Sequence, residues 1–178
     1  MQTFTPAVHR ISWISCILAL AATPACNRLQ KAVYTPDAPN PVGPYSQAQI
    51  AGAFVFGAGQ LGIDPKEGTI VANSAEGQME QAIKNMFAVL AASGSEPRRL
   101  VKVTVYFKNL DDFTNVNAVY ARMLGDVKPA RSAIQVDRIP LDALIEIDYI
   151  AARPLTFSFQ RLLCALGVEA ICSGEMDH

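Results

Sequence analysis

Residues 74–108 read SAEGQMEQAIKNMFAVLAASGSEPRRLVKVTVYFK, and two hydrophobic periods follow one another inside that stretch. In its first part Met79, Ala82, Ile83, Met86, Phe87 and Leu90 recur three and four positions apart, which lines them along one side of a helix. A helix is therefore expected over residues 74–93. Ser74 is suited to cap its start, Glu76 sits at the positive end of the dipole, and Gly94 is placed to end it. In the second part the period falls to two. Val101, Val103, Val105 and Phe107 share one side, with Lys102, Thr104, Tyr106 and Lys108 on the other, which is the pattern of a half-buried strand.

Upstream, residues 46–50 and 54–57 are short strand-like runs on either side of Ala51-Gly52-Ala53, a tight-turn composition. Gly57, Gly59 and Gly62 follow in quick succession; glycine in a strand marks a bulge or a close backbone approach, here to a ligand. For Gly59 a structural bulge is the simpler of the two. Residues 62–68 form a turn that Asp64-Pro65 starts. Downstream, Asp111 opens a second helix with Phe113, Val116, Tyr120 and Leu124 on its core face. Residues 131–139 and 144–152 are two further strands around Pro140-Leu141-Asp142. The order strand, strand, helix, strand, helix, strand, strand describes an α+β domain with two helices on one face of a mixed sheet. The other face is left partly apolar, and a domain this small often covers such a face by oligomerising.

The ends differ from the middle. Residues 1–30 read as a targeting or extension segment: His9 and Arg10 precede an apolar run over residues 11–22, too short to span a bilayer comfortably. Small residues follow up to Cys26, as in a secretory leader or a lipoprotein cleavage site. Yet no acidic residue occurs before Asp37, which suits a mitochondrial transit peptide equally well, and a mispredicted gene start is a third reading. Residues 154–178 form a C-terminal extension with Leu155, Phe157, Phe159, Leu162, Leu163, Leu166 and Val168, too apolar for a free tail. Its role is open.

Composition narrows the chemistry. Fifteen basic residues stand against sixteen acidic ones, a net charge of -1, so the chain lacks the basic stripe of a nucleic-acid binder. The only histidines, His9 and His178, lie at the ends, which excludes a histidine triad or a histidine-rich metal site from the domain. Cys16, Cys26, Cys164 and Cys172 also lie in the terminal segments and form no CxxC pair, so neither a zinc ribbon nor a thioredoxin-type site is supported. Reduced thiols are the simplest reading.

Charges embedded in strands carry what remains. Arg131 starts one strand, and Glu146 lies between Ile145 and Ile147 in another. A guanidinium clamps a carboxylate through two parallel hydrogen bonds, and a nearby glutamate orients or deprotonates a water. If the two strands form a simple hairpin, the pair is offset by a distance on the order of 13 Å. Long side chains then close on a small molecule across that gap, or the pair meets across a subunit boundary. On pattern alone, the simpler reading of Arg131, Asp137, Glu146 and Asp148 is as solvated charges at a sheet edge. Tyr45 reads as a packed aromatic at a loop end, and Asn117 as a cap or surface residue on the second helix.

Several strings, taken in order, resemble one family. They are Pro41-Val42-Gly43-Pro44-Tyr45-Ser46-Gln47-Ala48, then Gly59-Gln60 with Ile63-Asp64-Pro65, then Asp111-Asp112-Phe113 with Val116-Asn117-Ala118-Val119-Tyr120. Pro129-Ala130-Arg131-Ser132, Ile139-Pro140 and Ile145-Glu146-Ile147 complete the set. Together they resemble the RidA/YjgF family over residues 31–153. The resemblance implies a chorismate-mutase-like α+β fold with a mixed six-stranded sheet and two helices on one face. It also implies a homotrimer with sites in the clefts between subunits, and no metal or organic cofactor. The implied activity is that of a hydrolase in metabolite damage control. It converts 2-aminoacrylate-type enamines, through imines such as 2-iminobutanoate and 2-iminopropanoate, to 2-oxo acids and ammonia. By the same resemblance Arg131 holds the substrate carboxylate, Glu146 positions water, Tyr45 lines the pocket, the Gly59 backbone contacts substrate and Asn117 sits at the rim.

An endoribonuclease or translation inhibitor, and a non-catalytic binding or chaperone-like homologue, are the competing readings. The partner expected is a small 2-imino acid, with no nucleic acid and no stable membrane span in the mature domain. A cytoplasmic or mitochondrial residence follows, with export through the N-terminal apolar run as the alternative. Two positions depart from the family: Ala58 stands where serine is frequent, and Ala133 where cysteine or threonine is frequent. The segment between Tyr120 and Pro129 is also a few residues shorter than is common.

Overall fold

The computed structural model describes residues 30–154. Six strands and two helices run in the order β1 (Gln30–Val33), β2 (Ala48–Ala51), β3 (Phe54–Leu61), α1 (Ala75–Ala92), β4 (Leu100–Phe107), α2 (Phe113–Leu124), β5 (Ala130–Gln135) and β6 (Ile145–Ala152). They form one mixed sheet in the order β1-β2-β3-β6-β4-β5, with all neighbours antiparallel except β4 and β5. The α+β reading with a six-stranded sheet holds. The expectations for residues 1–29 and 155–178 lie outside the described residues. Among the described residues no helix is long and apolar enough to cross a membrane.

Helix α1 forms where its periodicity places it. The Ser74 side chain accepts a hydrogen bond from the Gly77 N–H at 3.2 Å, a cap of the kind that contributes about 1 kcal/mol. Gly94 follows the helix at φ 70°, a conformation that disfavours a residue with a Cβ. Met79, Ala82, Ile83, Met86 and Leu90 are fully buried against the sheet. Each large apolar side chain buried there contributes roughly 1.5–3 kcal/mol. The sheet meets them with Val55, Val103, Val105, Ile145, Ile147, Tyr149 and Ala151, all buried and all on one face of their strands.

Several expectations need correction. The last two strands are not a hairpin. β4 lies between β5 and β6, parallel to the first and antiparallel to the second. The segment after β5 belongs to β4 as well: Val136 N–H donates to Phe107 O at 2.9 Å, and Lys108 N–H donates to Leu144 O at 2.9 Å. Val101 does not share a side with Val103, because the register of β4 against β6 shifts between Leu100 and Lys102. The bulge turns Leu100 inward and leaves Val101 exposed. On α2, Val116, Val119, Tyr120 and Leu124 form the buried face, whereas Phe113 at the helix start is 37% exposed. β1 was absent from the pattern because three of its four residues are exposed and no alternation marks it.

Candidate functional site

A cavity of about 310 Å³ opens beside the bulged end of β3. Its outer wall is residues 39–45, and the residue that fixes this wall is the buried Gln47. The Gln47 Nε2 donates to the carbonyls of Thr35 (3.0 Å), Ala38 (3.2 Å) and Pro39 (2.9 Å), while its Oε1 accepts from Thr35 N–H at 2.7 Å. With two hydrogens facing three carbonyls one of these bonds is shared, and one side chain thus engages four backbone groups of an irregular segment. Tyr45 lines the cavity and is half-exposed; its hydroxyl accepts from Val42 N–H at 3.3 Å. Tyr45 therefore braces the wall as well as facing the space. Pro140, at the far side, precedes Leu141 and Asp142, whose φ values of 60° and 53° are strained for residues with a Cβ.

The inner wall comes from β3 and β6. Their register shifts between Gly57 and Gln60, so Ala58 and Gly59 form a bulge facing the cavity. Both expectations for Gly59 meet here. It lies in a structural bulge, and a Cβ on it would overlap the Glu146 carboxylate. Gly59 is therefore the residue that lets Glu146 reach the cavity. The Glu146 side chain makes no hydrogen bond among the described residues and lines the cavity. Burial holds its carboxyl above the usual carboxylate range, and the neighbouring Asp148 charge adds to the effect. Asp148 itself accepts a hydrogen bond from the Tyr106 hydroxyl at 2.9 Å, which raises the Tyr106 phenol.

Arg131 belongs to a different part of the molecule. It pairs with Val103 in β5–β4, whereas Glu146 pairs with Tyr106 in β6–β4. Val103 and Tyr106 are three residues apart on β4, so their side chains point to opposite faces, and paired residues share a face. Arg131 accordingly lies on the helix-covered side, with its guanidinium 4.6 Å from the Tyr120 ring centre and 5.6 Å from that of Phe113. The two positions are separated by two strand spacings and three residues of rise, roughly 14 Å between backbones, with the sheet between the side chains. In this register the two side chains leave opposite faces of the sheet, so the closure across a hairpin that the sequence suggested does not form. Asn117 is not part of the cavity wall. It lies four residues after Phe113 and three before Tyr120 on α2, on the Arg131 side.

The candidate residues thus fall into two groups on opposite sides of the sheet. Tyr45, Gly59 and Glu146 meet in the cavity; Arg131 and Asn117 sit beyond the sheet. Ala58 lines the cavity, and Ala133, paired with Val105, lies on the same face of β5 as Arg131. Gln47 was quoted in the sequence only as part of a string. A long polar side chain between a Pro-rich segment and an apolar run was the available signal for its role. Among the described residues no three His, Cys, Asp or Glu side chains come together to hold a metal ion.

Residues 35–153 match the family model described as Endoribonuclease L-PSP. The chain is 48% identical over 123 residues to a RutC family protein of Pyrococcus horikoshii, a match covering 69% of this chain and 98% of that protein. It is 41% identical over 145 residues to Reactive Intermediate Deaminase A, chloroplastic, of Arabidopsis thaliana, covering 82% of this chain and 78% of that protein. Among solved structures, Escherichia coli TdcF with bound serine is 35% identical, with a TM-score of 0.67 over 70% of this chain and 99% of that one.

Proposed function

The chain belongs to the Endoribonuclease L-PSP family, the RidA/YjgF family, and from that premise we propose that it hydrolyses 2-imino acids to 2-oxo acids and ammonia. Glu146 carries the reading: a half-buried carboxylate, free of hydrogen bonds among the described residues, at the wall of a small cavity. The substrate class is that of 2-iminobutanoate and 2-iminopropanoate. A relative of like fold holds serine, an amino acid of the same size and with the same carboxylate.

The chemistry asks little of the protein. The imine carbon is already electrophilic, so a positioned water and a held substrate lower most of the barrier. Glu146 takes a proton from the water as its oxygen bonds to the imine carbon, and passes that proton to the imine nitrogen as the C=N π bond opens. It then takes the hydroxyl proton of the resulting carbinolamine as the carbonyl forms and delivers it to the nitrogen, so that the C–N bond breaks, ammonia leaves and Glu146 is again ionised. Arg131 holds the substrate carboxylate with its two parallel N–H groups. Asn117 stands beside it at the rim, and the Gly59 backbone and Tyr45 confine the reacting end.

Because the sheet separates Arg131 from Glu146, a complete site takes Arg131 from one copy and the cavity from another. A homotrimer supplies three such junctions. The sheet face that carries Glu146 also exposes Phe54, Phe56 and Ile134, each more than 40% accessible, which is apolar surface of the kind a neighbouring copy covers. RNA cleavage, named in the family's description, fits less well. Glu146 and Asp148 put negative charge beside the cavity, and a net charge of -1 gives phosphates little to neutralise.

The test generates 2-iminobutanoate with threonine dehydratase and traps free imine with semicarbazide. The full-length protein is expected to divert imine from the semicarbazone to 2-oxobutanoate. Arg131→Ala should lower that diversion by about 100-fold or more. A folded protein that diverts nothing would contradict the reading, and RNA cleavage that survives Arg131→Ala would put the ribonuclease in its place.

A further inference from the structure

A guanidinium is readily oriented by a carboxylate, which takes two of its parallel N–H groups. Arg131 is not: among the described residues its guanidinium takes part in no ion pair and donates no side-chain hydrogen bond, although four ion pairs occur elsewhere. What it touches instead is two aromatic rings, Tyr120 at 4.6 Å and Phe113 at 5.6 Å. Both distances are within the range at which a ring's negative face attracts a cation. Phe113 is held in turn by the buried Phe107, with ring centres 6.0 Å apart at 39°. Tyr120 is buried, and its hydroxyl has no hydrogen-bond partner among the described residues, so it is the ring that acts here.

We propose that Tyr120 and Phe113 are positioning residues that seat the Arg131 guanidinium by its face and leave its N–H edge free for a substrate carboxylate. A carboxylate partner would fix Arg131 just as firmly, but it would occupy the fork and cancel the charge that recognition needs. A ring holds the plane of the guanidinium and uses none of its donors. The seat also explains the placement of Phe113, a large apolar residue left 37% exposed at the start of α2. Its exposed ring is one side of an arginine cradle rather than misplaced core. This inference rests on the reading of Arg131 as the carboxylate holder.

Binding of 2-oxobutanoate and of its methyl ester to the full-length protein, followed by calorimetry, tests the seat without requiring turnover. Phe113→Leu and Tyr120→Leu keep apolar bulk but remove the ring, and each is expected to weaken 2-oxobutanoate about 10-fold. Binding of the uncharged ester should not change, and Tyr120→Phe, which keeps the ring, should restore the acid's affinity. Equal weakening of acid and ester would show general damage to the pocket and overturn the seat, as would leucine variants that bind the acid like the wild type. Phe113→Leu, at a half-exposed position, keeps the test open if Tyr120→Leu does not fold. If the wild-type protein binds the acid but hydrolyses no imine, the hydrolase fails while the seat stands. If it binds no acid, both fail.

Discussion

The two faces of the sheet are built to different ends. On the helix-covered face Val55, Val103, Ile145 and Ile147 have no accessible surface at all, and the side chains of α1 close over them. On the other face the same strands present Phe54, Phe56, Ile134, Tyr106, Glu146 and Asp148, a mixture of apolar rings and paired or half-buried polar groups. A small second cluster of Leu61, Ile63, Ile139 and Ala143 covers only part of it. The first face is closed within one chain from β3 to β4 and open only at the edge strand β5, where Arg131 and Ala133 are exposed; the second has the composition of an interface. The site residues divide the same way, with the cation on the side of the finished face and the carboxylate on the unfinished one.

Substitutions that separate stability from assembly probe this contrast most strongly. Ile147→Ala removes side-chain bulk from the closed face and should lower unfolding stability by about 3 kcal/mol in a denaturant titration. Phe56→Asp on the open face should leave the far-ultraviolet dichroism of the domain intact while sedimentation shows smaller particles. If Phe56→Asp unfolds the chain as Ile147→Ala destabilises it, the two faces are not different in kind.

A second change sharpens the role of the bulge. Gly59→Ala places a methyl group where the Glu146 carboxylate lies. A displacement of that size at a reacting group should lower kcat/KM for 2-iminobutanoate by about 100-fold while folding is retained. An unchanged rate would show that Glu146 does not work from the position described.

The smallest effect is on pH dependence. Glu146 acts as a base only when ionised, and its carboxyl titrates above the usual carboxylate range because of burial and then Asp148. Activity should therefore fall on the acid side at a higher pH than an ordinary glutamate would give. Asp148→Asn removes the like charge, so the acid limb should move to lower pH, while burial, the larger cause, still keeps it above that of an ordinary glutamate. A limb that moves upward would contradict this account of the carboxyl.

Much of the helix-covered layer was legible in residues 74–108, because burial on one side imposes a period and both α1 and β4 show it. The hairpin at Gly52 was legible for a similar local reason, its φ of 59° being one that glycine adopts without strain. Strand order was not. Whether β5 pairs with β6 or inserts beyond β4 depends on contacts distant in sequence, and residues 136–144 have the turn composition of either. β1 and the bulge at Val101 escaped because neither leaves a periodic trace. For the site, the residue types were visible in the sequence, but the separation of Arg131 from Glu146 by the sheet requires the register of three strands. The aromatic seat of Arg131 was hidden by reading Phe113 as core.

The division of the site between copies is the central claim, and a subunit-mixing experiment tests it directly. Arg131→Ala and Glu146→Gln, each nearly inactive alone, would be unfolded together in equal amounts and refolded. If each site takes Arg131 from one copy and Glu146 from its neighbour in a ring, random mixing restores both groups in about one quarter of the sites, and activity should return to about that level. A mixture no more active than either parent, with exchange of subunits shown by mass spectrometry, would mean that the two residues serve within one chain and would contradict the account.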